Sequence, residues 1–125
     1  MTNNNQKNVF GEVVETCSEN PITGFFRDGC CNTDETDFGR HFICTLMTEE
    51  FLKFSKENGN DLSAPIPEFN FPGLKPGDKW CLCAMRWKEA YDNNCAPNIF
   101  LLSTNSKVLE MIPLEILKIY AIDLG

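Results

Sequence analysis

"HFICTLMTEEFLKFSKENG", residues 41–59, changes its period halfway, and that change decides the fold. Phe42, Cys44 and Leu46 fall on one side of an extended chain. His41, Ile43, Thr45 and Met47 fall on the other, the period of two expected of a strand. Thr48 then stands where a helix N-cap belongs, and Glu49 and Glu50 bring negative charge to the first turn. Asn58-Gly59 marks a stop, so the spacing predicts a helix over 49–58 with Phe51, Leu52 and Phe54 as its buried stripe.

The same pairing recurs downstream. "KWCLC" at 79–83 reads as a strand, and "MRWKEAYDN" at 85–93 as a helix, with Trp87, Ala90 and Tyr91 at helical spacing and Lys88 four residues before Asp92. "NIFLLST" and "KVLEMI" predict two further strands, joined at Asn105-Ser106 as a C-terminal hairpin. Pro113 suits the first turn of a last helix running to about Ala121. Before residue 41, short apolar pieces are broken by Gly11, Pro21, Gly24 and Gly29. The polar, Asn-rich residues 1–8 read as a flexible tail. The expectation is an α+β fold: one compact domain over 9–125, a mixed sheet that includes the C-terminal hairpin, and about three helices.

Between the two strand–helix pairs runs "GNDLSAPIPEFNFPGLKPGD", with four prolines and no sustained period. Pro76-Gly77 suits a type II turn. A connection this long in a compact domain is usually functional or disordered. Phe69, Phe71 and Leu74 argue against disorder, because such residues seek a surface to cover, and Phe69 and Phe71 are candidate contacts to a ligand or partner.

Composition bounds the function. At 125 residues, 42% hydrophobic and 23% charged, the chain has ordinary globular values for one domain. Its 18 acidic and 11 basic residues give a net charge of −7, and no run of Lys and Arg interrupts that balance, which disfavours nucleic acid and acidic membrane surfaces. The first residues, "MTNNNQKN", lack the apolar core of a secretory signal, and a cytoplasmic location is expected.

Seven cysteines, at 17, 30, 31, 44, 81, 83 and 95, are an odd number for a disulfide framework, so reduced thiols or a metal are expected rather than bridges. On an extended chain Cys81 and Cys83 share a face with Cα atoms ~6.6 Å apart, near the upper limit for a disulfide and more comfortable around an ion or a third thiol. Adjacent Cys30 and Cys31, about 3.8 Å apart at Cα, are too close to bridge each other, and one of them can turn toward Cys81 and Cys83. Cys30, Cys31, Cys81 and Cys83 are therefore the candidate thiol or metal site, with zinc or iron as the ion. The alternative is that the cysteines are small buried hydrophobes, the plainest reading for Cys44 and Cys95.

Arg27, Asp28, His41 and Arg86 are the candidate polar supports. His41 is the only histidine: it can serve as base for one of these thiols or as a metal ligand, and the plainer reading is a half-buried, hydrogen-bonded residue at the start of a strand. No phosphate loop, nucleophile elbow, zinc-protease helix or EF-hand spacing is found. Three classes of function stay open, of which metal or thiol chemistry at a cysteine cluster is one, and a non-catalytic module binding a small ligand or protein partner, a second copy included, is another. Enzyme action on a small molecule through polar groups such as Arg27 and Asp28 is a third.

"PITGFFRDGCCNT" (21–33), "MTEEFLKFSKENGNDLS" (47–63), "PEFNFPGLKPGDKWCLCAMRWKEA" (67–90) and Ala96-Pro97 resemble the small bacterial family labelled domain of unknown function 2237. The likeness runs from about Cys17 to Ala121. It implies a compact single domain and carries no activity with it. It also implies histidines at the positions of Asn105 and Tyr120, where this chain departs from the pattern.

Overall fold

The structure is a computed structural model that describes residues 6–123. Its frame is two short strands, β1 (Ile43–Leu46) and β2 (Lys79–Leu82), each running into a helix: α1 (Glu49–Glu57) after β1 and α2 (Ala84–Asp92) after β2. A third helix, α3 (Leu114–Ile119), closes the chain. The strands pair antiparallel with Ile43 opposite Leu82, Cys44 opposite Cys81, Thr45 opposite Trp80 and Leu46 opposite Lys79. Among the described residues no helix is long and apolar enough to cross a membrane.

Local signals place these elements. The Thr48 hydroxyl accepts from the Phe51 N–H at 3.0 Å and caps α1, whose buried residues are Phe51, Leu52 and Ser55. Ser55 takes the place expected of Phe54 because its hydroxyl donates to the Asn60 carbonyl at 2.6 Å, so the buried hydroxyl is itself paired. Lys75–Asp78 forms the expected turn, with Gly77 at φ +96° and the Asp78 N–H on the Lys75 carbonyl.

The core lies between the helices and the sheet. Trp87 is fully buried, its indole N–H donates to the Pro97 carbonyl at 3.0 Å, and its ring stacks on Tyr91 and meets Tyr120 edge-on. Tyr120 is thus a packing residue. Phe51, Ile43, Met47, Leu82, Ile99, Leu101 and Leu117 fill the space around it, each worth about 1.5–3 kcal/mol of burial.

The sheet is purely antiparallel, and the mixed sheet with a C-terminal hairpin is corrected. "NIFLLST" and "KVLEMI" instead form two 3₁₀ turns, Leu101–Ser103 and Ser106–Glu110. The Asp123 carboxylate accepts from the N–H groups of Leu101 and Leu102 at 2.9 Å each, taking the donors a ladder would need. The Asn105 side chain accepts from the Lys107 N–H and starts the second turn instead of a hairpin loop. Only residues 98–100 run beside the sheet: the Leu46 N–H reaches the Asn98 carbonyl, and the Phe100 N–H reaches the Cys44 carbonyl, covering the outer edge of β1.

Of the polar stretch expected as a tail, residues 1–5 lie outside the described residues. Gln6–Asn8 are tied in: Gln6 bonds Thr33 and Asn105, and the Asn8 side chain donates to the Leu102 carbonyl. The proline-rich connection is likewise pinned. It carries a 3₁₀ turn at Pro67–Phe69, a bridge between Ile66 and Phe71, and a bond from the Leu74 N–H to the Leu62 carbonyl.

Candidate functional site: an aromatic cavity over a layer of sulfur

The register places Cys44 and Cys81 directly opposite each other, so both side chains leave the same face of the sheet. Their N–H groups do not join the ladder. Cys44 donates to the Thr104 hydroxyl at 3.2 Å and Cys81 to the Thr23 hydroxyl at 2.9 Å, the mark of a non-hydrogen-bonded pair, in which facing side chains come closest. The two do not bond to each other. Each takes a partner from the N-terminal loops, Cys17 with Cys44 and Cys31 with Cys81. The four form one buried cluster against Phe100, and the sulfur atoms of Cys17, Cys31 and Cys81 all lie within 4.8 Å of one another.

The expected set of Cys30, Cys31, Cys81 and Cys83 is corrected in part. Cys31 and Cys81 do meet, but Cys30 and Cys83 stay free and half-buried outside the cluster. Cys30 is turned away from its neighbour and reaches the Thr16 hydroxyl at 3.9 Å. Burial, aided by Asp28 and Glu19, pushes its thiol above the ordinary range, the reverse of an activated nucleophile. Cys83 leaves the strand because it is already the N-cap residue of α2, so the extended run ends at Leu82. Cys95 is free and buried, as expected of a small hydrophobe, while Cys44 belongs to a bridge. Where the odd count suggests reduced thiols, four of the seven cysteines stand in two pairs with disulfide geometry.

Cys81 also lines a cavity of about 300 Å³, and this cavity collects most of the other candidates. Arg27, His41, Phe69, Phe71 and Trp80 line it together with Phe25. Phe71 is buried edge-on against Trp80 with centroids 5.2 Å apart, and Phe69 is 68% exposed at the other extreme. Arg27 closes the space between two loops: its guanidinium lies 5.7 Å from the Trp80 ring centroid and donates to the carbonyls of Ile22 and Phe69. Those contacts use two of five N–H donors and leave three for a ligand. Its backbone sits at φ +56°, a left-handed conformation costing roughly 1–2 kcal/mol. The loop turns through Gly24, at φ +99°, where a Cβ would fall 2.3 Å from the Cys30 carbonyl oxygen.

His41 is held by a residue that the sequence did not single out. Asp37 has a fully buried carboxylate, which sits 2.7 Å from His41 Nδ1 and accepts from the His41 N–H at 3.0 Å and the Thr33 hydroxyl at 2.9 Å. The Asp37 carboxylate lies against Nδ1, and Nε2 has no hydrogen-bond partner among the described residues. Phe25 stacks over the imidazole, its plane within 18° of the ring. This is the arrangement of an oriented base.

Asp28 and Arg86 do other work. Asp28 accepts from the Cys30 N–H and from the Asn32 side chain, clamping its own loop. Arg86 ties α2 to the end of α1 by donating to the Asn58 carbonyl, with Glu89 as its ion partner. Asn105 is also structural, its amide donating to the Cys31 carbonyl and to Gln6.

Compared with known proteins, residues 7–121 match the profile of a family described as an uncharacterized protein conserved in bacteria, domain of unknown function 2237. No curated protein matches the chain.

Proposed function

Because the chain belongs to domain of unknown function family 2237, whose description names no activity, we propose a function from the geometry alone: the cavity binds a compact anionic molecule with a flat apolar body and exchanges a proton with it. The observation that carries this reading is convergence. Arg27, His41 and Trp80 come from three separate segments and line one space. The volume falls at the lower end of small-molecule sites, and aromatic walls with few polar groups are the usual composition of such sites.

Each wall has a role. Phe71 and Trp80 offer apolar faces to the ligand body, and Arg27 offers unused N–H donors to a carboxylate or similar head group. His41 Nε2 takes or gives the proton, with Asp37 stabilising the imidazolium that forms. Phe69 shields the mouth. The test is ligand-observed NMR with a panel of small aromatic carboxylates and their neutral amides. Carboxylates should bind at least tenfold tighter than the amides, and Arg27→Ala should erase the difference, since a hydrogen bond to a charged group is worth about 1.5–3 kcal/mol. Equal binding of acids and amides, or no binding by any member of the panel, defeats the reading.

A second reading is thiol chemistry at the Cys31–Cys81 bond, favoured because Cys81 belongs to the wall of the same cavity. A thiolate on the bound molecule attacks Cys81 Sγ, the bond to Cys31 breaks, and Cys31 leaves as a thiolate that takes up a proton. Acid trapping after incubation with a small aryl thiol, followed by mass spectrometry, should then find the adduct on Cys81. Its absence removes this reading and leaves the first intact.

A further inference from the structure

The two disulfides are not separate staples. A bridge needs only its own two partners, yet here sulfur atoms from different bridges share one buried site within 4.8 Å. The four donors come from two facing strand positions, Cys44 and Cys81, and two loop positions, Cys17 and Cys31, which is how sheet-and-loop frames present ligands to an ion from several sides. A tetrahedral zinc ion with Zn–S bonds of ~2.3 Å spaces its sulfurs by roughly 3.8 Å. That spacing fits inside the envelope of Cys17, Cys31 and Cys81, and Cys44 has to turn toward them once its bridge to Cys17 is broken. All four cysteines are at most 3% exposed, the buried setting of a structural rather than a catalytic site.

We propose that the reduced chain holds one thiophilic divalent ion of the zinc class on Cys17, Cys31 and Cys81, completed by Cys44, and that the two disulfides are the oxidised, metal-free form of that site. Reduction breaks two S–S bonds and takes four electrons and four protons from two equivalents of an external dithiol, which leave as cyclic disulfides. The ion then displaces one proton for each thiolate it takes. Soft thiolate ligands select such an ion over magnesium or calcium. The bound site carries net negative charge, and the Lys79 ammonium lies 4.6 Å from the centroid of Phe100, the aromatic residue that packs on the cluster.

The experiment uses the full chain, reduced without oxygen, titrated with Co²⁺ and then with Zn²⁺. One Co²⁺ per chain should bind, with the thiolate charge-transfer and tetrahedral ligand-field bands of a sulfur site, and Zn²⁺ should bleach them. The oxidised chain should take up none. A triple variant with Cys30→Ser, Cys83→Ser and Cys95→Ser should bind as the wild type does, while Cys31→Ser should weaken binding at least tenfold. If the reduced chain unfolds, circular dichroism should recover in step with Zn²⁺ addition. Absence of uptake, failure of Zn²⁺ to refold an unfolded reduced chain, or loss of uptake in the triple variant overturns the proposal. Carboxylate binding is measured on the oxidised chain through Arg27 and His41, so it can fail without touching this result.

Discussion

Gly39 is the residue on which the acid–base pair turns. A Cβ there would lie 2.4 Å from His41 Cε1 and 2.9 Å from Nε2, so the imidazole occupies the space that any side chain would need. Gly39→Ala is expected to push the ring off Asp37 and to cost about 1–3 kcal/mol, the usual price of overpacking. Because His41 is the sole histidine, its ring ¹⁵N shifts report the tautomer without ambiguity. Wild type should show hydrogen on Nδ1, and the variant a mixture of tautomers; identical spectra would mean that the ring is not positioned by this contact. His41 stood out in the sequence as a candidate, whereas Asp37 did not. A gap of four residues brings side chains together on a helix, and this stretch is not helical. The chain turns instead, through bonds from the Phe38 N–H to Thr36 and from the Arg40 N–H to Asp37, which no periodicity announces. Cys44 was hidden for another reason: a bridged half-cystine and a buried thiol leave the same apolar pattern between Phe42 and Leu46.

At the scale of elements, what was legible is what is decided locally. The strand at 43–46, the helix at 49–57 and the second strand–helix pair follow from alternation, a cap and a stop within a dozen residues. Thr48 is the clearest such signal, since its hydroxyl meets one of the orphan N–H groups of the first turn of α1. Thr48→Ala should destabilise the protein by about 1 kcal/mol and Thr48→Ser by a few tenths at most, read as shifts of the urea midpoint at unchanged slope. Equal loss in both would show that the methyl group matters rather than the cap. The C-terminal hairpin was misread because its failure is decided far away. Asp123 sits more than twenty residues beyond Leu101 and removes its ladder donor, and Ile99 pairs on one side with Thr45 and on the other with Ala121. Alternating apolar residues look the same in a strand and in a chain that crosses a core by single bridges.

At the scale of the whole molecule, the described residues hold little regular structure: two four-residue strands and α-helices of nine, nine and six residues. Covalent links therefore carry weight. The bridges span 27 and 50 residues, and chain entropy assigns them about 3.5 and 4 kcal/mol respectively through their restriction of the unfolded state. The spans overlap over residues 31–44, the segment that holds Asp37, Gly39 and His41, so both links close on the candidate base. Replacing Cys17 and Cys44 by alanine, or Cys31 and Cys81, should lower urea stability by about those amounts, with a steeper slope because an unlinked unfolded chain exposes more surface. Local opening should be felt at the overlap before global unfolding. The His41 N–H, bound to Asp37 at 3.0 Å, is expected to exchange with solvent faster in either variant, while the Trp87 indole N–H, buried on Pro97, keeps the protection set by global stability. If both N–H groups instead lose protection in proportion to global stability, the links act only on the unfolded chain, and the positioning of His41 rests on Gly39 and Asp37 alone.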